Sequence, residues 1–163
     1  MRYLTTLTLL LLPLLAIAGD DPVFPPDAIC GTWETSHDDD GWSLIEIVKT
    51  DDSYEGRISW INNDVYDEDD HMAGQPVVDR ENPAPNLRNR SLIGVRLMHS
   101  FVYDKKNRWK DGRIYDPNNG KDYRCKLTLQ DINTLDVRGF VKVGFIKLGR
   151  TTTWERIDST STH

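Results

Sequence analysis

The chain has 163 residues, with 20 Lys and Arg against 26 Asp and Glu, and a formal net charge of −6. One domain is expected at this length. The acidic balance, without a basic block, argues against nucleic acid as a partner and against an anionic membrane surface. With 38% apolar and 28% charged residues, the composition is that of a soluble globular protein, not a disordered one.

Met1 to Ala18 read as a secretory signal peptide. Arg2 gives a short positive start, Leu7 to Ile17 is almost unbroken in apolar character, and Ala16-Ile17-Ala18 is the small-x-small pattern cut on export. The run is too short for a membrane span and Pro13 interrupts it. The expectation is a periplasmic or secreted protein, cleaved near Ala18, with no membrane span. Residues 19–30 hold Pro22, Pro25 and Pro26 and predict an extended, poorly ordered arm. Residues 31–157 are expected to form a single β-barrel domain, and 158–163 a disordered tail. Cys30 and Cys125 leave two readings open: one disulfide, which an oxidising compartment and an even count permit, or two buried thiols acting as small apolar groups.

From Gly31 onward short β-like runs alternate with turn clusters. Gly31 to Ser36 is the first run, and His37 to Gly41 turns the chain. Trp42 to Thr50 follows, then Asp51-Asp52-Ser53 and a third run, Tyr54 to Ile61. There Tyr54, Gly56, Ile58 and Trp60 alternate with polar residues, the period of a half-buried strand. Asn62 to Arg90 is polar, carries Pro76, Pro83 and Pro85, and reads as a long loop of the kind that often covers a site. Alternation returns at Leu92 to Tyr103, placing Val95, Leu97, His99 and Phe101 on one face. Arg108 to Tyr115, Tyr123 to Leu129, Leu135 to Val143 and Thr151 to Ile157 complete eight runs, with no amphipathic helix pattern. Consecutive strands joined by short turns are antiparallel neighbours. Eight close most simply into an all-β, antiparallel up-and-down barrel, with a two-sheet sandwich as the alternative.

Several strings are distinctive as an ordered set. They are G-x-W at Gly31-Thr32-Trp33, N-P-x-P-x-L-R-x-R from Asn82 to Arg90 leading into Ser91-Leu92-Ile93-Gly94, and W-x-x-G-x-I-Y-D-P-x-N-G-K from Trp109 to Lys121. L-x-V-R-G-F at Leu135 to Phe140 and G-R-T-x-T-W-x-R from Gly149 to Arg156 complete it. Together they resemble the bacterial domain-of-unknown-function family numbered 2147, across Gly31 to Arg156. The resemblance implies an exported, lipocalin-like barrel and no assigned activity. Family members usually carry Pro where this chain has Ser91, and some have a Cys pair in the long loop that is absent here. In lipocalins the tryptophan of G-x-W packs across the closed end beneath an arginine of the last strand. The resemblance therefore implies structural roles for Trp33 and for Arg156 or Arg150.

Strand phasing supplies candidate ligand-binding residues: Tyr54, Ile58, Trp60, Leu97, His99, Phe101, Tyr123 and Leu127. An apolar lining with a few polar tips suits a small hydrophobic or amphipathic molecule. Side chains can equally fill so small a barrel. That leaves an alternative: a packed, non-enzymatic envelope module whose rim and long loop contact a protein or cell-wall partner. No catalytic residue, metal site or cofactor is expected. The clusters Asp38 to Asp40 and Asp67 to His71 lack calcium-loop spacing. His99 and Ser100, as strand neighbours, should point to opposite faces and form no dyad.

Overall fold

The computed structural model describes residues 22–37, 41–144 and 146–157. The expected signal peptide and C-terminal tail lie outside the described residues. Eight strands form one closed antiparallel barrel in sequence order. They are β1 (Gly31–Glu34), β2 (Ser43–Thr50), β3 (Ser53–Ile61), β4 (Arg96–Lys105), β5 (Arg108–Asp116), β6 (Lys121–Asp131), β7 (Thr134–Val143) and β8 (Ile146–Ile157). Pairing of β1 with β8, through Trp33 opposite Arg156, closes the ring. No helix is long and apolar enough to cross a membrane among the described residues.

The strands form where alternation is strong, and tight turns join them at one end. Lys106 and Asn107 both take positive φ, 47° and 59°, as a two-residue hairpin turn between right-twisted strands requires. Asn107 is also buried. Its side-chain amide donates to the Pro22 carbonyl, and its oxygen accepts from the Phe24 N–H at 2.7 Å. The N-terminal arm is thereby tied across this end of the barrel. It is not the loose extended segment that its prolines predict. Pro26 instead opens a short 3₁₀ helix, Pro26–Ile29, where a missing N–H costs nothing.

That helix plugs the barrel. Ile29 is fully buried, and its carbonyl accepts the Trp33 indole N–H at 2.8 Å. The Arg156 guanidinium lies 4.3 Å from the Trp33 ring and donates to the carbonyls of Ala28, Cys30 and Ile132. Of the two candidate arginines, Arg156 covers the tryptophan. Arg150 stands opposite Gly139, toward the other end. Gly31, at φ 130°, is needed here: a Cβ would sit 2.6 Å from an Arg156 nitrogen. Above the plug, Trp109, Phe101, Tyr54, Leu127, Leu129 and Leu135 fill the lower barrel. Gly112 leaves room for the Phe101 ring, whose nearest carbon would lie 2.2 Å from an added Cβ.

The two cysteines are free thiols, so the disulfide reading is corrected. Cys30 follows the plug at the closed end, whereas Cys125 sits within β6 between Gly112 and Gly139, inside the barrel. Burial pushes the Cys125 thiol up to about 12, which keeps it protonated and inert.

Candidate functional site

The end opposite the plug is open, and two clefts of about 450 Å³ each occupy it. The first has an apolar base of Ile45, Ile58, Leu97 and Trp154, with Trp42 and Tyr66 as walls and Asn62, Arg80 and Asn118 among its polar groups. The second lies against β5 to β8 and is lined by Ile114, Tyr123, Val137, Val141, Leu148 and Arg150. Thr35, Pro117, Asn118 and Thr152 border both, so the β5–β6 turn stands between two halves of one mouth. These volumes suit a small molecule, and the apolar base beneath a polar rim suits an amphipathic one.

The long loop between β3 and β4 forms one wall of this mouth, and it is locked in place. Asp79 is fully buried. Its Oδ2 accepts from Arg90 through Nε at 3.0 Å and a terminal nitrogen at 2.7 Å, and from the Asn82 amide at 2.7 Å. Its Oδ1 accepts the Tyr115 hydroxyl from β5. Arg88 donates to the Asn82 carbonyl at 2.8 Å, and the Asn82 side-chain oxygen caps the Ala84 N–H. The string from Asn82 to Arg90 is therefore a clamp on one buried carboxylate, which satisfies the charge where it is out of water. Gly120 completes the docking: at φ 66°, any Cβ would collide with the Glu81 carbonyl at 1.9 Å. Ser91 pairs with Val78 as an isolated bridge and accepts the Ile93 N–H on its hydroxyl.

Burial and the Asp79 carboxylate push the Tyr115 hydroxyl up to about 12. Because the folded value lies above the ordinary 10, the contribution of this hydrogen bond is complete below pH 10 and is lost as pH rises toward 12. Tyr115→Phe should cost about 1.5–3 kcal/mol at neutral pH, the range for a hydrogen bond to a charged group. Urea denaturation of both proteins at pH 7 and pH 11 checks this: the gap should narrow at the higher pH.

Near the first cleft Arg80 stacks 4.6 Å from the Tyr66 ring and pairs with Asp70 at 2.7 Å. The Met72 N–H and then Arg80 hold the Asp70 carboxyl below its usual range. At the edge of the mouth, Trp42 stacks on His37 at 4.8 Å and meets Trp60 at 4.6 Å with the rings tilted by 45°.

The eight residues phased toward a ligand divide into three groups. Ile58 and Leu97 line the first cleft and Tyr123 the second. Tyr54, Phe101 and Leu127 are buried in the filled lower barrel. Trp60 and His99 line neither cleft, because bulges shift their strands. Leu44 faces Trp60 while the adjacent Ile45 faces Ile58, so Ser59 is the extra residue and Trp60 leaves the inner row. In β4, Leu97 and Met98 are both buried, and His99 pairs with Arg113 on the outer face. Ser100 then takes φ 64°, which restores Phe101 to the interior and brings the Ser100 hydroxyl 2.9 Å from His99 Nδ1. The expectation of opposite faces for these two side chains fails for that reason. Partial burial, then Arg96, lowers the His99 pKa.

The clamp on Asp79 carries a signal in the sequence only through the string that encloses it. Nothing local in Val77-Val78-Asp79-Arg80 shows that this aspartate is buried.

Residues 31–156 match a family described as "Uncharacterized protein conserved in bacteria (DUF2147)". No curated protein matches the chain. Among solved structures it is similar to one described as "Protein HP1028 from the human pathogen Helicobacter pylori belongs to the lipocalin family". Identity is 23% and the TM-score 0.66, over 80% of this chain and 84% of that one, a likeness of fold. The chain thus belongs to the bacterial DUF2147 family, folded as a lipocalin-like barrel.

Proposed function

We propose that this chain is an exported, non-enzymatic binding protein that holds one small hydrophobic or amphipathic molecule in the open end of its barrel. The observation that carries the reading is the division of the interior. The plugged half is filled by side chains, and the other half keeps an apolar-based mouth with a polar rim. Export rests on the pattern of residues 1–18 in the sequence. The envelope-module alternative is weaker, because Asn82, Arg88 and Arg90 spend donors inside the loop rather than presenting them to a partner.

An environment-sensitive naphthalene fluorophore should brighten on binding and be displaced by a medium-chain fatty acid. Thr152, half-buried between the clefts, is the place to block the mouth without disturbing the filled core. Thr152→Trp should weaken the fluorophore by about tenfold, or 1.4 kcal/mol, at an unchanged melting temperature. Equal titrations of the two proteins, or no brightening with either, would count against the proposal.

A further inference from the structure

The β7–β8 hairpin outruns the sheet that carries it. Pairing of β6 with β7 ends at Arg124 opposite Phe140, and pairing of β1 with β8 covers Thr32 to Glu34 alone. Beyond Phe140 the two strands pair with each other, Val141 with Leu148, Lys142 with Lys147 and Val143 with Ile146. A two-stranded ribbon of this kind is marginal in water by itself, and apolar residues on it are a liability. Yet Val141, Leu148 and Ile146 are 43%, 57% and 64% exposed. The register puts the three on one face.

The opposite face is basic. Lys142 and Lys147 stand directly across from each other, an arrangement that destabilises an antiparallel pair. Among the described residues no carboxylate lies within salt-bridge distance of either. Lys147 instead sits 5.5 Å from the Phe140 ring. An apolar face together with two unneutralised ammonium groups calls for a partner that offers hydrocarbon and negative charge together.

We infer that the outer end of the β7–β8 ribbon docks end-on on the surface of an anionic phospholipid bilayer, Ile146 and Leu148 entering the interface from one face while Lys142 and Lys147, on the other, reach the headgroups beside it. A second copy packed through the aliphatic faces would leave all four lysines on the outer sides without a counter-charge. The net charge of −6 does not forbid the contact. Screening confines electrostatics to about 10 Å in 0.1 M salt, so the local charge of the tip decides. Val141 and Leu148 also line the second cleft, so docking sets that cleft beside the lipid. Ile146, the most exposed of the three, lines neither cleft.

The test is cosedimentation of the purified protein with phosphatidylcholine vesicles, with or without about one-third phosphatidylglycerol. The protein should pellet with the anionic vesicles, less so as salt is raised. Ile146→Ser with Leu148→Ser should weaken partition by about tenfold or more. Lys142→Glu should also weaken it by about tenfold or more, while raising the melting temperature, because it sets opposite charges across the ribbon. A merely structural role for Lys142 would not separate the two readouts in this way. Three results would overturn the inference: no pelleting with anionic vesicles, equal pelleting of all variants, or a tip substitution that abolishes a concentration-dependent dimer in ultracentrifugation and leaves vesicle binding intact.

Discussion

Trp33→Ala should destabilise the protein by about 3–5 kcal/mol, the range for truncating a fully buried tryptophan or phenylalanine. Trp33 is 0% exposed and is held on both sides, by the Ile29 carbonyl through its indole N–H and by the Arg156 guanidinium over its ring. Truncation removes the ring from the plug and leaves a cavity beneath Arg156. The surroundings cannot collapse into it easily, because Arg156 is tied to three carbonyls on two segments. Trp33→Phe should recover most of the packing and lose the hydrogen bond, at about 1–2 kcal/mol. Urea denaturation of the three proteins measures both values. A loss below about 1 kcal/mol for the alanine variant would show that the plug does not hold the barrel shut.

Arg90→Met ranks second, at about 3 kcal/mol, the lower end of the range for stranding a buried charge. Asp79 would keep Tyr115 and Asn82 as donors but lose its cation. The lower end applies because the Arg90 side chain is 39% exposed, so solvent already screens part of the pair. The damage should fall first on the long loop, where limited proteolysis would find new cleavage sites between residues 62 and 95. Adding Asp79→Asn to Arg90→Met should return part of the stability, since the stranded charge is then gone. A double-mutant cycle reads that coupling directly.

The barrel was legible because period-two alternation is a property of neighbouring residues, and Tyr54 to Ile58 or Tyr123 to Leu129 need no distant information to show it. What stayed hidden depends on contacts between distant parts of the chain. The bulges at Ser59, at Leu97-Met98 and at Ser100 each reverse the phase of a strand, and none has a glycine in the bulged strand itself. Simple alternation therefore points Trp60 and His99 inward, where the folded strands do not. The tight floor of Tyr54, Phe101 and Leu127 was equally invisible, because alternation assigns a side chain to the interior without saying at which depth the interior is full. The prolines of the N-terminal arm forbid regular helix and sheet interiors, yet one of them also starts the short helix before Trp33. The lipocalin resemblance placed an arginine over that tryptophan, and the β1–β8 register selects Arg156.

The proposed binding site lies in the open half of the barrel and not in the plugged half. Native mass spectrometry of protein prepared from its source without detergent reads its occupancy. A bound small molecule is expected, released by organic solvent and reduced in occupancy in Thr152→Trp. Protein that flies at its bare polypeptide mass in both forms, and takes up no added amphiphile, would contradict it.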